Sequence, residues 1–325
     1  VDLETPIELE TEDEHRERVA RRESATAGEN GRPRLPGILV ACVLAIAAIE
    51  AGASLVQHAT VPSVANWTAA AERVRAQRKP GAPVLFAPLW VEPIGRLHLG
   101  DQLSLDQLTL SDVDGFPEVV QVSVRGARHP WLEGWKPAKS WSAGRVEVQL
   151  FQNPRPVQVL FDFTDKIGEA QVDKIGPDVV RCQRQGRRFV CDPRRRWNWV
   201  GPHVAEVGHR PYRCVFAHAV DGHVMRITYP AVSVGATLVG YTGIDDFENR
   251  KRSKTPVLLR VFVGPRPIGV VRHLNDWPWQ RFTIDTRELS GQTHPVSFEV
   301  TADNAFARTF CFSAQTRAGG SGAGR

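Results

Sequence analysis

Apolar and polar positions fall into three textures along the chain. From Leu35 to about Val56 apolar residues run almost unbroken, and Ile38–Ile49 carries no polar side chain except the thiol of Cys42. About 20 residues at a rise of about 1.5 Å span the ~30 Å hydrocarbon core of a bilayer, so the run predicts a transmembrane helix over 35–57. Glu50 lies toward its far end, within reach of the headgroups. After a linker over 58–66 the pattern mixes periods. Trp67, Ala70, Ala71 and Val74 recur at helical spacing, and Pro80-Gly81 stops that helix. Val84–Ala87 reads as a buried strand and Leu103–Leu110 as a short helix. Val119–Val124, Arg145–Gln152 and Val157–Phe163 read as strands. Helix and strand in alternation predict a small α/β or α+β domain over 67–200.

Beyond about 208 the period is two. Eight short runs (Arg213–His218, His223–Tyr229, Thr237–Tyr241, Val257–Val263, Ile268–His273, Arg281–Asp285, Val296–Thr301 and Arg308–Ser313) are separated by Gly, Pro, Asn and Asp turns. Val296, Phe298 and Val300 share one face, as do Phe310 and Phe312. This predicts an all-β sandwich over 208–315. The expected fold is thus a single transmembrane helix, an α/β (or α+β) domain and an all-β sandwich.

The ends lack such periodicity. Residues 1–34 hold ten acids and six arginines, too little apolar surface to offset ordering entropy. They read as a disordered tail with a short helix around Glu14–Arg22, and 316–325 as a second tail. Arg18, Arg21, Arg22, Arg32 and Arg34 precede the apolar run, whereas Arg73 and Arg75 occupy the matching window after it. The positive-inside bias makes the run an uncleaved signal anchor with a cytoplasmic tail and a periplasmic or extracellular bulk.

The cysteines fit that topology. Of five, Cys42 lies in the apolar run, and four remain: Cys182, Cys191, Cys214 and Cys311. Four allow three pairings. Cys182 and Cys191 flank a polar hairpin-like stretch, and an even count fits an oxidising compartment.

Two resemblances add to this reading. VGATLVGYTGIDD (234–246), PVLLRVFVG (256–264), WQRFTIDTRELSG (279–291) and VSFEVTADN (296–304) resemble the galactose-binding-like jelly roll of many carbohydrate-binding modules. The resemblance implies two packed sheets with first and last strands adjacent, which would set Cys214 beside Cys311. It also implies a role in binding glycans, proteins or neither, since that fold hosts all three. Residues 67–93 (WTAAAERVRAQRKPGAPVLFAPLWVEP) resemble the start of extracytoplasmic domains in polytopic sugar transferases, which implies an envelope setting and an envelope enzyme as partner.

Four groups of residues carry candidate chemistry. Asn275, Asp276, Trp277, Trp279 and Arg281 could stack on a sugar ring and hydrogen-bond its hydroxyls, although a tryptophan at this strand entry also suits packing. Arg184, Arg187, Arg188, Arg194, Arg195 and Arg196, with Arg181 just before, form a basic segment followed by Trp197 and Trp199. Residues 58–325 hold 35 basic and 25 acidic side chains. Outside a membrane such arginines suit anionic glycolipid or acidic polysaccharide and not nucleic acid. Asp245, Asp246 and Asn249, with Glu248, offer hard oxygens for a structural calcium, the sole cofactor expected. No zinc-protease motif, nucleophile elbow or phosphate loop occurs, so no catalytic residue is assigned. The function these features predict is non-catalytic binding of a glycan or anionic envelope component. The alternative is an accessory subunit of an envelope glycosyltransferase or polysaccharide system.

Overall fold

The computed structural model describes residues 37–195, 197–245, 251–275 and 278–319, and the chain divides into two units after Val61. The predicted tail 1–34, with its short helix, lies outside the described residues.

In the first unit α1 (Gly37–Thr60) is the apolar run, and none of its window Leu39–Gln57 is buried. It is one helix long and apolar enough to cross a membrane. Cys42 is a free, exposed thiol on it.

The second unit opens with α2 (Val64–Gln77), started by a capping box: Asn66 N–H donates to Ser63 Oγ, and Ser63 N–H donates to Asn66 Oδ1. Its buried face is Trp67, Ala70, Ala71 and Val74, the residues whose spacing predicts it. The chain then forms β1 (Val84–Ala87), α3 (Glu92–Leu99) and a single turn, α4 (Leu105–Leu108), shorter than the helix expected over 103–110. Helix α3 is not foreseen, because Pro93 reads as a breaker. It sits in the first turn, where no intrahelical N–H is lost. Gly95 is required there: a Cβ would fall 2.0 Å from the Phe86 ring of β1. Strands β2 (Glu118–Val124), β3 (Pro137–Ala143) and β4 (Val146–Gln152) complete a sheet ordered β1-β2-β4-β3, with β1 parallel to β2 and the other pairs antiparallel. One face of it packs on α2 through Val84, Phe86, Val120, Val122 and Val148.

The remaining strands form two sheets. They are β5 (Val159–Asp162), β6 (Gln171–Ile175), β7 (Val179–Arg181), β8 (Gln183–Gln185), β9 (Arg188–Val190), β10 (Trp199–Val207), β11 (Arg210–Ala217), β12 (Val224–Ser233), β13 (Thr237–Ile244), β14 (Val257–Val263), β15 (Arg266–His273), β16 (Gln280–Asp285), β17 (Thr293–Thr301) and β18 (Phe310–Arg317). One sheet contains the run β16-β13-β18-β11 and the other β15-β14-β17-β12. From β11 to β18 the chain crosses between sheets at every step except the β14–β15 hairpin, which is jelly-roll connectivity. The core between the sheets is aromatic. Phe298 lies 4.8 Å from Phe163 and 4.9 Å from Phe312, centroid to centroid, and the buried Tyr229 hydroxyl donates to Phe163 O.

Sheet membership changes at Gln152, not near 200. Strands β8, β9 and β10 extend the first sheet beyond β11, β6 and β7 extend the second beyond β12, and β5 pairs with β18. Of these, β7 and β8 are three residues each and exposed throughout, so they have no apolar face of their own. They are held by the open edges they cover. At the far end, Thr316 and Arg317 complete β18 and are buried, so the tail expected from 316 does not begin there.

Both disulfides form within these sheets. Cys182–Cys191 closes the β8–β9 hairpin. Cys214–Cys311 joins β11 to β18, adjacent first and last strands of the jelly roll, across 97 residues. Closing a loop of that length stabilises by about 4–5 kcal/mol in the chain-entropy account.

Candidate functional site

A concavity of about 310 Å³ lies on the outer face of the jelly roll's larger sheet, beneath the segment 106–116 that leads from α4 to β2. Strand alternation builds its floor. Phe310, Phe312 and Ala314 of β18 point into the sandwich core, so Ser313, Gln315 and Arg317 point outward. Register sets Tyr241 opposite Ser313 and Val239 opposite Gln315, and on the other side of β18 sets Asp162 opposite Gln315.

The roof is pinned to the floor by charge. Asp114 N–H donates to Asp112 Oδ1, and Asn153 Nδ2 donates to Asp114 O, which fixes the loop. Arg317 reaches Asp112 Oδ2 at 2.8 Å and Asp114 Oδ2 at 3.1 Å, and the Tyr241 hydroxyl donates to Asp112 Oδ2 at 2.6 Å. Burial pushes the Asp112 carboxyl up, but the Arg317 charge and the hydrogen bonds from Tyr241 and Arg317 outweigh it and hold the group below the ordinary carboxylate value. Burial and the neighbouring Asp112 push the Tyr241 phenol far up, so it stays protonated and donates.

The opposite wall is open. Arg213 of β11 bonds Asp165 at 2.7 Å and lies 3.7 Å from Asp106, with side-chain exposures of 37%, 52% and 78% respectively. Burial, then the negative charge of Asp162, raise the Asp165 carboxyl against the pull of Arg213. Asp162 itself accepts N–H groups from Thr164, Asp165 and Gln315. Phe116, Leu110 and Val159 supply apolar surface between the polar groups.

This site is not the aromatic loop expected from the sequence. Asp276 and Trp277 lie outside the described residues. Trp279 is half-buried and held in place: its ring stacks 4.6 Å from Tyr212 and 6.1 Å from Tyr241, and Nε1–H donates to Ser111 Oγ. Arg281 pairs with Asp114 at 2.9 Å. Asn275 instead bonds the buried Arg308 and Ser253 O. Trp279 and Arg281 therefore fasten the 111–114 loop to the sheet.

Most hairpin arginines are also engaged. Arg184 bonds the carbonyls of Gly168 and Gly186, Arg188 lies 3.9 Å over the Trp199 ring, and Arg195 lies near Asp192 and over Trp197. Arg181 bonds Asp173. Arg187 and Arg194 are exposed without an ion pair among the described residues, and Arg196 lies outside them. Of the calcium candidates, Asp246 and Asn249, like Glu248, lie outside the described residues. Both Asp245 oxygens are in use, on His203 Nε2 and Glu206 N–H, each at 2.8 Å. Among the described residues no group of three or more His, Cys, Asp or Glu is placed to hold a metal. The cavity residues come from five separate stretches, so no motif marks them. The Asp-x-Asp of 112–114 was the one local signal.

No family model and no curated protein matches the chain. Several solved structures are similar to part of it. The CBM51-2 and INT domains from Clostridium perfringens ZmpB match 35% of this chain at 15% identity and a TM-score of 0.26, and the chain spans 25% of that one. CBM51 from Clostridium perfringens GH95 in complex with methyl-galactose matches 35% of this chain and 76% of its own, at 9% identity and a TM-score of 0.25. TmCBM61 in complex with β-1,4-galactotriose matches 37% and 79%, at 14% identity and a TM-score of 0.25.

Proposed function

We propose that this protein is a membrane-anchored, extracytoplasmic glycan-binding protein, and that its jelly roll takes an uncharged sugar in the cavity beneath residues 106–116. One observation carries the reading: a cavity of about 310 Å³ whose wall offers Arg213 as donor and Asp165 and Asp106 as acceptors beside apolar surface. Sugars present hydroxyls that donate and accept, and C–H faces that pack on apolar groups. Four carboxylates (Asp106, Asp112, Asp162, Asp165) line the cavity against two guanidiniums, and Arg317 is already shared by Asp112 and Asp114. That balance disfavours acidic sugars, so anionic glycolipid falls to the exposed Arg187 and Arg194.

Binding without chemistry is supported by how the acids are spent. Asp112 and Asp162 are held by hydrogen bonds, and Asp165 and Asp106 both face Arg213, so each acid lining the cavity already has a partner. Two disulfides suit the oxidising side of a membrane, and the arginine-rich flank of α1 suits the cytoplasmic side. The test is a glycan array with the full chain in lipid nanodiscs. Retention of uncharged glycans, reduced about tenfold or more in Arg213→Ala, is the expected result, since a hydrogen bond from a charged donor contributes about 1.5–3 kcal/mol. Silence of folded protein across the array would shift the reading to an accessory subunit.

A further inference from the structure

We propose that one end of the α/β layer, bearing Val64, Trp90, Ile94 and Leu97, rests in the headgroup zone of the membrane; the proposal depends on α1 being a membrane helix. These large apolar side chains are 72%, 59%, 41% and 81% exposed. Ile94 and Leu97 share a face of α3, with Trp90 one turn ahead.

The chain path brings them to one end. It leaves along α2, turns at Pro80-Gly81 and returns along β1, since Val74, Val84 and Phe86 pack in one cluster. Residues 88–91 therefore arrive where α2 began. Trp67, in the first turns of α2, stacks 6.2 Å from His98, beside Leu97. Strand β2 runs parallel to β1 and ends at the same level. Its last pair, Val124 with Val146, is flanked by Arg125 and Arg145, and the adjoining Gly144 abuts the Asn66 side chain of α2. Both arginines are exposed, and neither forms an ion pair among the described residues.

What covers this end follows from the tether. Only residues 61–63 separate the apolar helix from α2, a reach of at most about 14 Å. Tryptophan and aliphatic side chains beside unpaired arginines match the interfacial zone, where apolar groups enter the acyl boundary and guanidiniums meet phosphate.

The test is spin labelling of the full chain in vesicles of phosphatidylcholine and phosphatidylglycerol, in a Cys42→Ser background with both disulfides verified by mass. Single labels go at Leu97→Cys, at Val270→Cys on the exposed face of β15, and at Leu44→Cys in α1. Collisions with lipid-soluble oxygen should outweigh those with an aqueous nickel chelate at 97 and at 44, and the reverse should hold at 270. A lipid signal at 44 with an aqueous signal at 97 overturns this proposal alone. An aqueous signal at 44 overturns the membrane anchor beneath it. Shielding at 97 from both reagents would mean that a protein covers the face, which also overturns the proposal.

Discussion

The two walls of the cavity use the same chemistry to opposite ends. On one, Arg317 is 6% exposed and bridges Asp112 and Asp114, with Tyr241 closing the network. On the other, Arg213 links Asp165 and Asp106 at 37%, 52% and 78% exposure. An arginine between two aspartates is a fastener when desolvated and a ligand contact when water still reaches it. The energetic reason is that a buried charge cannot lose its partner cheaply, whereas an exposed pair exchanges readily with solvent or with a hydroxyl. The contrast separates the side chains that hold the loop 106–116 from those that solvent reaches.

The largest effect should come from the buried wall. Arg317→Met leaves Asp112 without its charge partner and should cost about 3–5 kcal/mol in denaturant unfolding. A loss no greater than an exposed substitution gives would dissolve the contrast. Next is Trp279→Ala, which removes an indole stacked against Tyr212 and Tyr241. Half-burial of that ring places the expected loss near 2 kcal/mol, below the range for a fully buried aromatic.

Acid should separate the walls by sign. Asp112 has a depressed carboxyl, so its stabilisation is full above the ordinary carboxylate value and disappears as pH falls through the lower folded value. Asp165 has a raised carboxyl, so the strain of its charge is relieved as pH falls through that raised value. Thermal melting across the acid range should therefore show a fall that Asp112→Asn flattens and Asp165→Asn does not. The smallest effect is on the open wall, where Asp165→Asn should move unfolding by no more than about 0.5 kcal/mol.

How much of this was legible beforehand depends on the range over which the residues act. Val84–Ala87 and Val257–Val263 appear as strands at the expected residues, because a short apolar or alternating run bounded by turns has few other solutions. Both disulfides follow from hairpin and jelly-roll adjacency. Strands β7 and β8 were obscure because their residues are all exposed and carry no period, and they are strands only by virtue of the edges they pair with. The aromatic loop was legible only in part. A tryptophan beside Pro, Asn and Asp resembles a sugar platform, and the contacts of Trp279 with Tyr212, Tyr241 and Ser111 come from distant stretches. The cavity needed Asp106, Asp165, Arg213 and Gln315 from distant stretches, and no local spacing announces such a set.

The central claim is that the open wall binds an uncharged sugar. The most direct measurement compares the full chain with the Asp165→Asn/Arg213→Ala double variant on one glycan array, once their unfolding midpoints are shown to agree. The account predicts that the wild-type chain retains uncharged glycans in preference to acidic ones and that the double variant loses them. Equal retention by both chains, or retention of acidic glycans only, would contradict it.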